Sequence, residues 1–392
     1  MTKTLFWIGF NTLVLCFCAD RAARWMNFRF PLRGAVSYEE SHRVFHLPFQ
    51  IHSSLEELPK VASNHRLFWE RASSQWDCGN GESIFVEVQD VAAPRPKARC
   101  HHRAVLAEGR VIFDRIERVD AFSRRVTSWA PEKSENHLLI FGGSHTWGHG
   151  VEDDETLPSR IQKILGRRAF VYNLGFEGYG PNDILARIER TGLLENIPQK
   201  KGAAFYFAIP GHFQRAIGAM SVIGRWGSRL SAYDWKDGKF EFRGSYVQGW
   251  PLRRALYCLL NFSYLIQAHM DLPLLRERHY DRFIAFISEI KNRYQQKFGK
   301  NSPFFFVLYP YKVRGFDRGL LLRKLSEKRI AFLDDSPFSL GDYTREEVQI
   351  PYDQHPTAKA YEILAEQIVK DLKLKEILGN QSPASAVSAE GG

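Results

Sequence analysis

From Asn136 onward the chain alternates short apolar runs with amphipathic stretches, and this alternation limits the fold more than any other feature. HLLIFGG (137–143), AFVYNLG (169–175), AAFYFAIPG (203–211), PFFFVLYP (303–310) and RIAFLDD (329–335) are short, apolar and bounded by turn residues, as buried strands are. TLPSRIQKILG (156–166) and PNDILARIERTG (181–192) have helical spacing, the second opening on Pro and closing on Gly. HPTAKAYEILAEQIVKDLKL (355–374) ends the series, with Ala358, Tyr361, Leu364, Ala365 and Ile368 on one face. Apolar strands separated by helices predict an α/β fold: a doubly wound, mostly parallel sheet in three layers, flavodoxin-like, over residues 136–376.

The remainder of the 392 residues frames that domain. Residues 30–135 read as a β-rich lead-in, with strand-like pieces at 83–91 and 110–120 and a loop at AAPRPKAR (92–99). Residues 212–275 interrupt the rhythm as an insertion, in which SAYDWKDGKFEFRG (231–244) reads as a hairpin turning at Asp237-Gly238. It is expected either to wall the site or simply to pack on the sheet. The tail, 377–392, is rich in Ser, Ala and Gly and is expected to be disordered.

Leu5–Ala19 is almost wholly apolar, with Lys3 before it and Asp20, Arg21, Arg24 and Arg29 after. It falls short of the roughly 20 residues of a spanning helix and matches the apolar core of a secretory signal. No good small-x-small cleavage site follows, so residues 1–25 read equally as a cleaved signal peptide or an uncleaved membrane anchor. The three arginines oppose the positive-inside rule for an exported chain, and a buried N-terminal helix is the competing reading. An extracytoplasmic location, periplasmic or secreted, is expected.

The net charge of +10 is scattered, without a basic arm or nucleic-acid motif. It reads as a solvated basic surface or as attraction to a polyanion such as an acidic glycan or anionic lipid; no nucleic-acid partner is expected. Of the five cysteines, only Cys78 and Cys100 are placed to bridge an extracytoplasmic loop. No CxxC pair with matching histidines occurs. His145 and His149 are four apart but lie in a loop-like segment without further ligands, so no metal site is expected.

Three segments carry chemistry together. FGGSHTWGHGV (141–151) runs a strand into a Gly-flanked serine, Ser144, shortly before a helix. Such a turn exposes a hydroxyl at the sheet's carboxyl edge, but a serine needs a base to attack a carbonyl. YNLGFEGYGPND (172–183) places glycines after a strand end, where Gly178 can offer its N–H to an oxyanion. PYDQHPTAKAYEILAEQI (351–368) holds Asp353 and His355 just before the last helix, a carboxylate and an imidazole able to take the serine's proton.

In this order the segments resemble the SGNH/GDSL hydrolase family. Gly-Gly-Ser-His-Thr (142–146) is similar to its first block, Tyr-Asn-Leu-Gly-x-x-Gly-Tyr-Gly (172–180) to its second and Asp-Gln-His-Pro (353–356) to its last. The resemblance covers about residues 136–375. It implies Ser144 as nucleophile, His355 as base, Asp353 as its orienter, and the N–H groups of Ser144 and Gly178 as oxyanion donors. Three departures stand out. Gly143 replaces the usual Asp; the Asp–His spacing is D-x-H, with Tyr352 three before the histidine; and AIPGHFQR (208–215) lacks the family's third-block Asn, leaving His212 as the candidate donor. The resemblance implies a cofactor-free esterase or O-acyl (acetyl) transferase acting on an acylated glycan or lipid. The missing Asn motivates the alternative: an inert or weak scaffold protein that binds glycan or serves envelope assembly.

Overall fold

The computed structural model describes residues 73–77, 86–88, 91–95, 99–105 and 111–379, apart from 262, 264–265, 267–270, 310–315, 334–344, 352 and 354, with backbone alone before His102. The apolar segment 5–19, Cys78, the side chain of Cys100, Tyr352 and the tail from residue 380 lie outside this description. Among the described residues, no helix is long and apolar enough to cross a membrane.

Twelve strands are described. β1 (Ser73–Asp77), β4 (Arg99–Val105) and β5 (Val111–Arg118) form an antiparallel sheet in the order β1-β4-β5. β2 (Val86–Val88) and β3 (Val91–Arg95) pair as a ribbon. The stretch expected as a loop at 92–99 is thus partly a strand: backbone pairing with β2 overrides the turn preference of its proline, which sits at the edge of a two-stranded ribbon.

The central sheet contains β6 (Asn136–Gly142), β7 (Phe170–Gly175), β8 (Lys201–Ala208), β11 (Phe304–Leu308) and β12 (Ala331–Leu333), all parallel. Their order is β12-β11-β8-β6-β7, the flavodoxin-like winding. Every apolar run expected from Asn136 onward as a strand is one. Alternate residues bury opposite faces. Leu139, Phe141, Tyr206 and Phe306 pack under α3 (Pro181–Thr191) and α7 (Glu277–Phe298). Leu138, Ile140, Phe205 and Val307 pack under α2 (Leu157–Leu165) and α10 (Ala358–Asp371). With helices on both sides the strands need no polar face, which explains their continuous apolar sequence.

The winding reverses between β6 and β8, and ligands of open α/β sheets bind beyond the strand carboxyl ends at such a point. α1 (Ser144–Trp147) leaves β6 there and α4 (Gly211–Ile217) leaves β8. The segment 145–149 is therefore partly a helical turn rather than a loop.

The hairpin of β9 (Ser231–Lys236) and β10 (Lys239–Ser245) turns at Asp237 and Gly238, both with positive φ. Its Phe240 stacks on Phe286 of α7 at 3.9 Å, and Asn182 and Asp183 at the start of α3 bind the Ser231 backbone at 2.8 and 2.7 Å. The hairpin is thus fastened to the outer face. α5 (Tyr246–Gly249) and α6 (Pro251–Leu260) follow it; α8 (Arg318–Glu327), α9 (Arg345–Val348) and α11 (Leu374–Ile377) complete the helices.

Candidate active site

Ser144 opens α1 immediately beyond β6, and its hydroxyl stands 2.7 Å from His355 Nε2. His355 Nδ1 bonds Asp353 Oδ1, so the hydroxyl donates to Nε2 and the imidazole donates from Nδ1. The three residues expected to act together meet, although 211 residues separate Ser144 from His355.

The short Asp-x-His spacing works because the chain doubles back. Asp353 N–H donates to Ile350 carbonyl at 3.1 Å and Ile350 N–H to His355 carbonyl at 2.8 Å. This closed turn carries the Asp353 side chain under the imidazole. The helix expected from His355 begins only at Ala358, where Thr357 caps it by accepting from Ala360 N–H at 3.3 Å. His355 stays outside the helix, where its ring reaches the serine.

Asp353 is 4% exposed, and its second oxygen accepts from His149 Nε2 at 3.0 Å. His149 Nδ1 in turn faces Glu177 Oε1 at 2.7 Å. Burial alone would raise the Asp353 carboxyl, but His355 and His149 hold it well below its ordinary range. Burial alone would lower His149, but Glu177 and Asp353 hold it well above the usual histidine value. His149 is therefore an imidazolium between two carboxylates at neutral pH.

His355 stacks on His149 at 4.3 Å, and His145 lies tilted against it at 4.9 Å. Burial, with His355, His212 and Arg215 nearby, drives His145 well below its ordinary value, so it packs as a neutral ring. The ligand-capable atoms of His149, Asp353 and His355 lie within 4.8 Å of one another, a spacing that suits a cation. Each already has a hydrogen-bonding partner, and His145, the expected companion of His149, is not in that group.

His212, in the first turn of α4, is fully buried. Its Nδ1 lies 2.9 Å from Tyr206 Oη. Burial raises Tyr206 well above its ordinary value, keeping it protonated; burial, then Arg215, keeps His212 neutral. Tyr206 then donates to Nδ1 and the ring hydrogen sits on Nε2. That atom has no hydrogen-bond partner among the described residues. It lies 2.6 Å from where a Cβ on Gly143 would stand, with Arg215 Nη1 at 2.9 Å and Tyr179 carbonyl oxygen at 2.9 Å. The Gly143 departure thus has a steric cause: His212 and Arg215 fill the space of the usual Asp.

Gly178 lies in the turn after β7, at φ +75°, and Trp226 would stand 3.0 Å from its Cβ. Arg215 Nη1 donates to Tyr179 carbonyl at 2.7 Å, tying this turn to α4. Asn173 on β7 fixes the other side, donating to the Thr146 and Trp147 carbonyls at 3.0 and 3.2 Å. The loops bearing Ser144, Gly178 and His212 therefore share one edge of the sheet.

Sequence reasoning missed the support that the antiparallel lead-in sheet gives this edge. His102 on β4 packs edge-on against His149 at 4.9 Å and bonds Glu117 Oε1 on β5 at 2.9 Å. Burial, with His149 nearby, lowers His102 to about 2, and burial raises Glu117 to about 7. Glu117 also accepts from Trp147 Nε1 at 2.5 Å. Arg125, almost fully buried, donates to the Trp147, Gly148 and Val151 carbonyls at 3.1, 2.5 and 2.6 Å and to Asp153 at 3.0 Å. The one signal in the sequence was Glu117, a charged residue on the same strand face as Phe113.

Fold and site together define a three-layer α/β protein with a serine–histidine–aspartate line at the carboxyl edge of its sheet. Solved structures similar to the chain include members of the lipolytic G-D-S-L, or SGNH, family. One is a G-D-S-L family protein from Veillonella parvula (12% identity, 61% of this chain and 98% of that one, TM-score 0.35). Another is a carbohydrate acetylesterase family member from Sinorhizobium meliloti (14%, 62% and 99%, TM-score 0.35). A third is a catalytic mutant of an acetylxylan esterase from Geobacillus stearothermophilus (11%, 62% and 96%, TM-score 0.34). No protein-family model and no curated protein sequence matches the chain.

Proposed function

We propose that this protein cleaves an ester through Ser144 and passes the acyl group to water or to an acceptor hydroxyl, the substrate being an acylated glycan or lipid. The observation that carries this reading is the 2.7 Å contact of the Ser144 hydroxyl with His355 Nε2. His355 takes the hydroxyl proton as Oγ attacks the carbonyl carbon, and the imidazolium is stabilised by Asp353. The carbonyl oxygen, now negative, is met by the N–H groups of Ser144 and Gly178 and by His212 Nε2–H in place of the missing Asn. Collapse of the tetrahedral adduct expels the alkoxide, which takes the proton from His355. Water or a sugar hydroxyl then attacks the acyl-serine by the same steps in reverse. No residue in this scheme requires a cofactor.

A fluorophosphonate probe tests the reading directly. It should label Ser144, and labelling should vanish in Ser144→Ala and fall by about three orders of magnitude or more in His355→Ala. A folded wild-type chain that takes no label and hydrolyses no p-nitrophenyl acetate would remove the catalytic reading. The apolar Leu5–Ala19 segment supports an extracytoplasmic location; a C-terminal reporter active only in the cytoplasm would oppose it.

A further inference from the structure

Helix α6 leaves an apolar stripe in solvent. It buries Tyr257, while Pro251, Leu252, Ala255, Leu256 and Leu259 face solvent. Leu252, Leu256 and Leu259 are 85%, 52% and 65% exposed, and their spacing of four and three makes one continuous stripe. Polar groups point the other way: Arg253 donates to the Ile217 and Gly218 carbonyls at 3.0 and 2.9 Å and to Tyr257 Oη at 3.1 Å. No hydrophobic contact inside the described protein accounts for the stripe. A group of exposed leucines on a helix of otherwise ordinary packing marks a docking face.

The segment Val222–Trp226 packs against the buried side of α6, with Val222, Ile223 and Tyr257 in one small core. Trp226 is 47% exposed there, flanked by exposed Arg225 and Arg229. No acid occurs between Glu195 and Asp234 or between Glu241 and Asp271, and Asp271, near Arg225, is taken up by hydrogen bonds from Ser221 and Gln214.

We propose that this face docks on an anionic lipid surface, with the α6 leucines in the acyl boundary and Trp226 and its flanking arginines at headgroup level. Ten residues of helix make about 15 Å, so α6 lies in the surface rather than across it. Tryptophan and arginine at the margin of an apolar face suit that boundary. A symmetric dimer through the same face would bring the Arg225 and Arg229 rims of two copies together, which charge repulsion opposes. Because Trp226 also packs over Gly178, docking brings the rim of the active site to the lipid surface. The proposal is independent of the acyl chemistry, since it concerns binding alone.

The test uses the full chain with phosphatidylcholine vesicles, with and without phosphatidylglycerol, carrying a photoactivatable phospholipid. Cross-links mapped by peptide should fall on 251–260 in the anionic vesicles and drop by about tenfold in Leu252→Glu/Leu256→Glu. That variant should melt at the wild-type temperature, because both side chains are exposed. Cross-links confined to the N-terminal segment, or undiminished in the variant, would overturn the proposal. So would a wild-type dimer that the variant dissociates.

Discussion

Asp353 divides its two carboxylate oxygens between two histidines: Oδ1 serves His355, and Oδ2 lies 3.0 Å from His149. The partner of Oδ2 is a cation, itself balanced by Glu177. The line Ser144–His355–Asp353–His149–Glu177 is therefore a charge chain, and its stability and the geometry of the proposed site rest on the same contacts.

Removing His149 should expose that dependence. His149→Gln leaves the buried Asp353 with His355 alone and the part-buried Glu177 without its cation, which should cost up to about 3 kcal/mol of folding stability. The sign with pH follows from the raised value of His149. Its contribution is complete below the unfolded histidine value and is lost as pH rises through its folded value. Calorimetry across neutral to alkaline pH should show the wild-type melting temperature declining and the His149→Gln curve flatter. Parallel curves would mean that His149 is neutral in the folded protein.

His212 replaces the missing Asn in the proposed scheme, so His212→Ala should lower kcat by about 10²- to 10³-fold with little change in KM. His212→Asn should recover part of the loss, because it restores an N–H donor. Tyr206→Phe should lower kcat less, by releasing the tautomer that puts the hydrogen on Nε2. Steady-state kinetics with p-nitrophenyl acetate checks all three. An unchanged kcat in His212→Ala would leave the backbone N–H groups as the whole oxyanion site.

Gly143 is the point where fold and catalysis compete for space. Gly143→Ala sets a methyl group 2.6 Å from His212 Nε2. Something must shift, and core overpacking of this kind costs about 1–3 kcal/mol. Gly143→Asp, which restores the residue usual in the resembling family, should be more harmful still unless combined with His212→Asn. Thermal melting and kcat of the single and double variants test this. An active, stable Gly143→Asp protein would refute the steric account.

Neutral buried histidines should make the protein acid-labile. Burial lowers His102 to about 2 and His137 to about 4. Between these values and about 6.5 the unfolded chain binds protons that the folded chain refuses, so stability falls with falling pH. Each such group contributes up to about 1.4 kcal/mol per pH unit. In His137→Gln the slope of stability between about pH 6.5 and 4 should be shallower by that one group. An identical slope would show that His137 titrates equally in both states.

Much of this is legible in the sequence. The strands show in sequence because both faces of the sheet are covered, which makes each of them continuously apolar. Pro181 and Gly192 mark the ends of α3 by their own backbone preferences. Ser144, Asp353 and His355 were recognisable because strand–turn–helix junctions place short, chemically distinctive segments at one edge of such a sheet. Misreadings fell where local preference met a tertiary partner. Val91–Arg95 became a strand through pairing with β2, and residues after Ser144 became a helical turn whose carbonyls Arg125 and Asn173 bind.

What the sequence determined alone was the alternation that winds the sheet and the side chains, Ser144, Asp353 and His355, proposed as nucleophile, acid and base, because period, turn chemistry and side-chain type are local properties. Only the tertiary structure decided that His149 is charged, that His212 points an unpartnered N–H at Gly143, and that His102 and Glu117 brace the site from a separate sheet. Protonation, tautomer and steric exclusion depend on burial and on neighbours brought together from distant parts of the chain, and no spacing along the sequence encodes those.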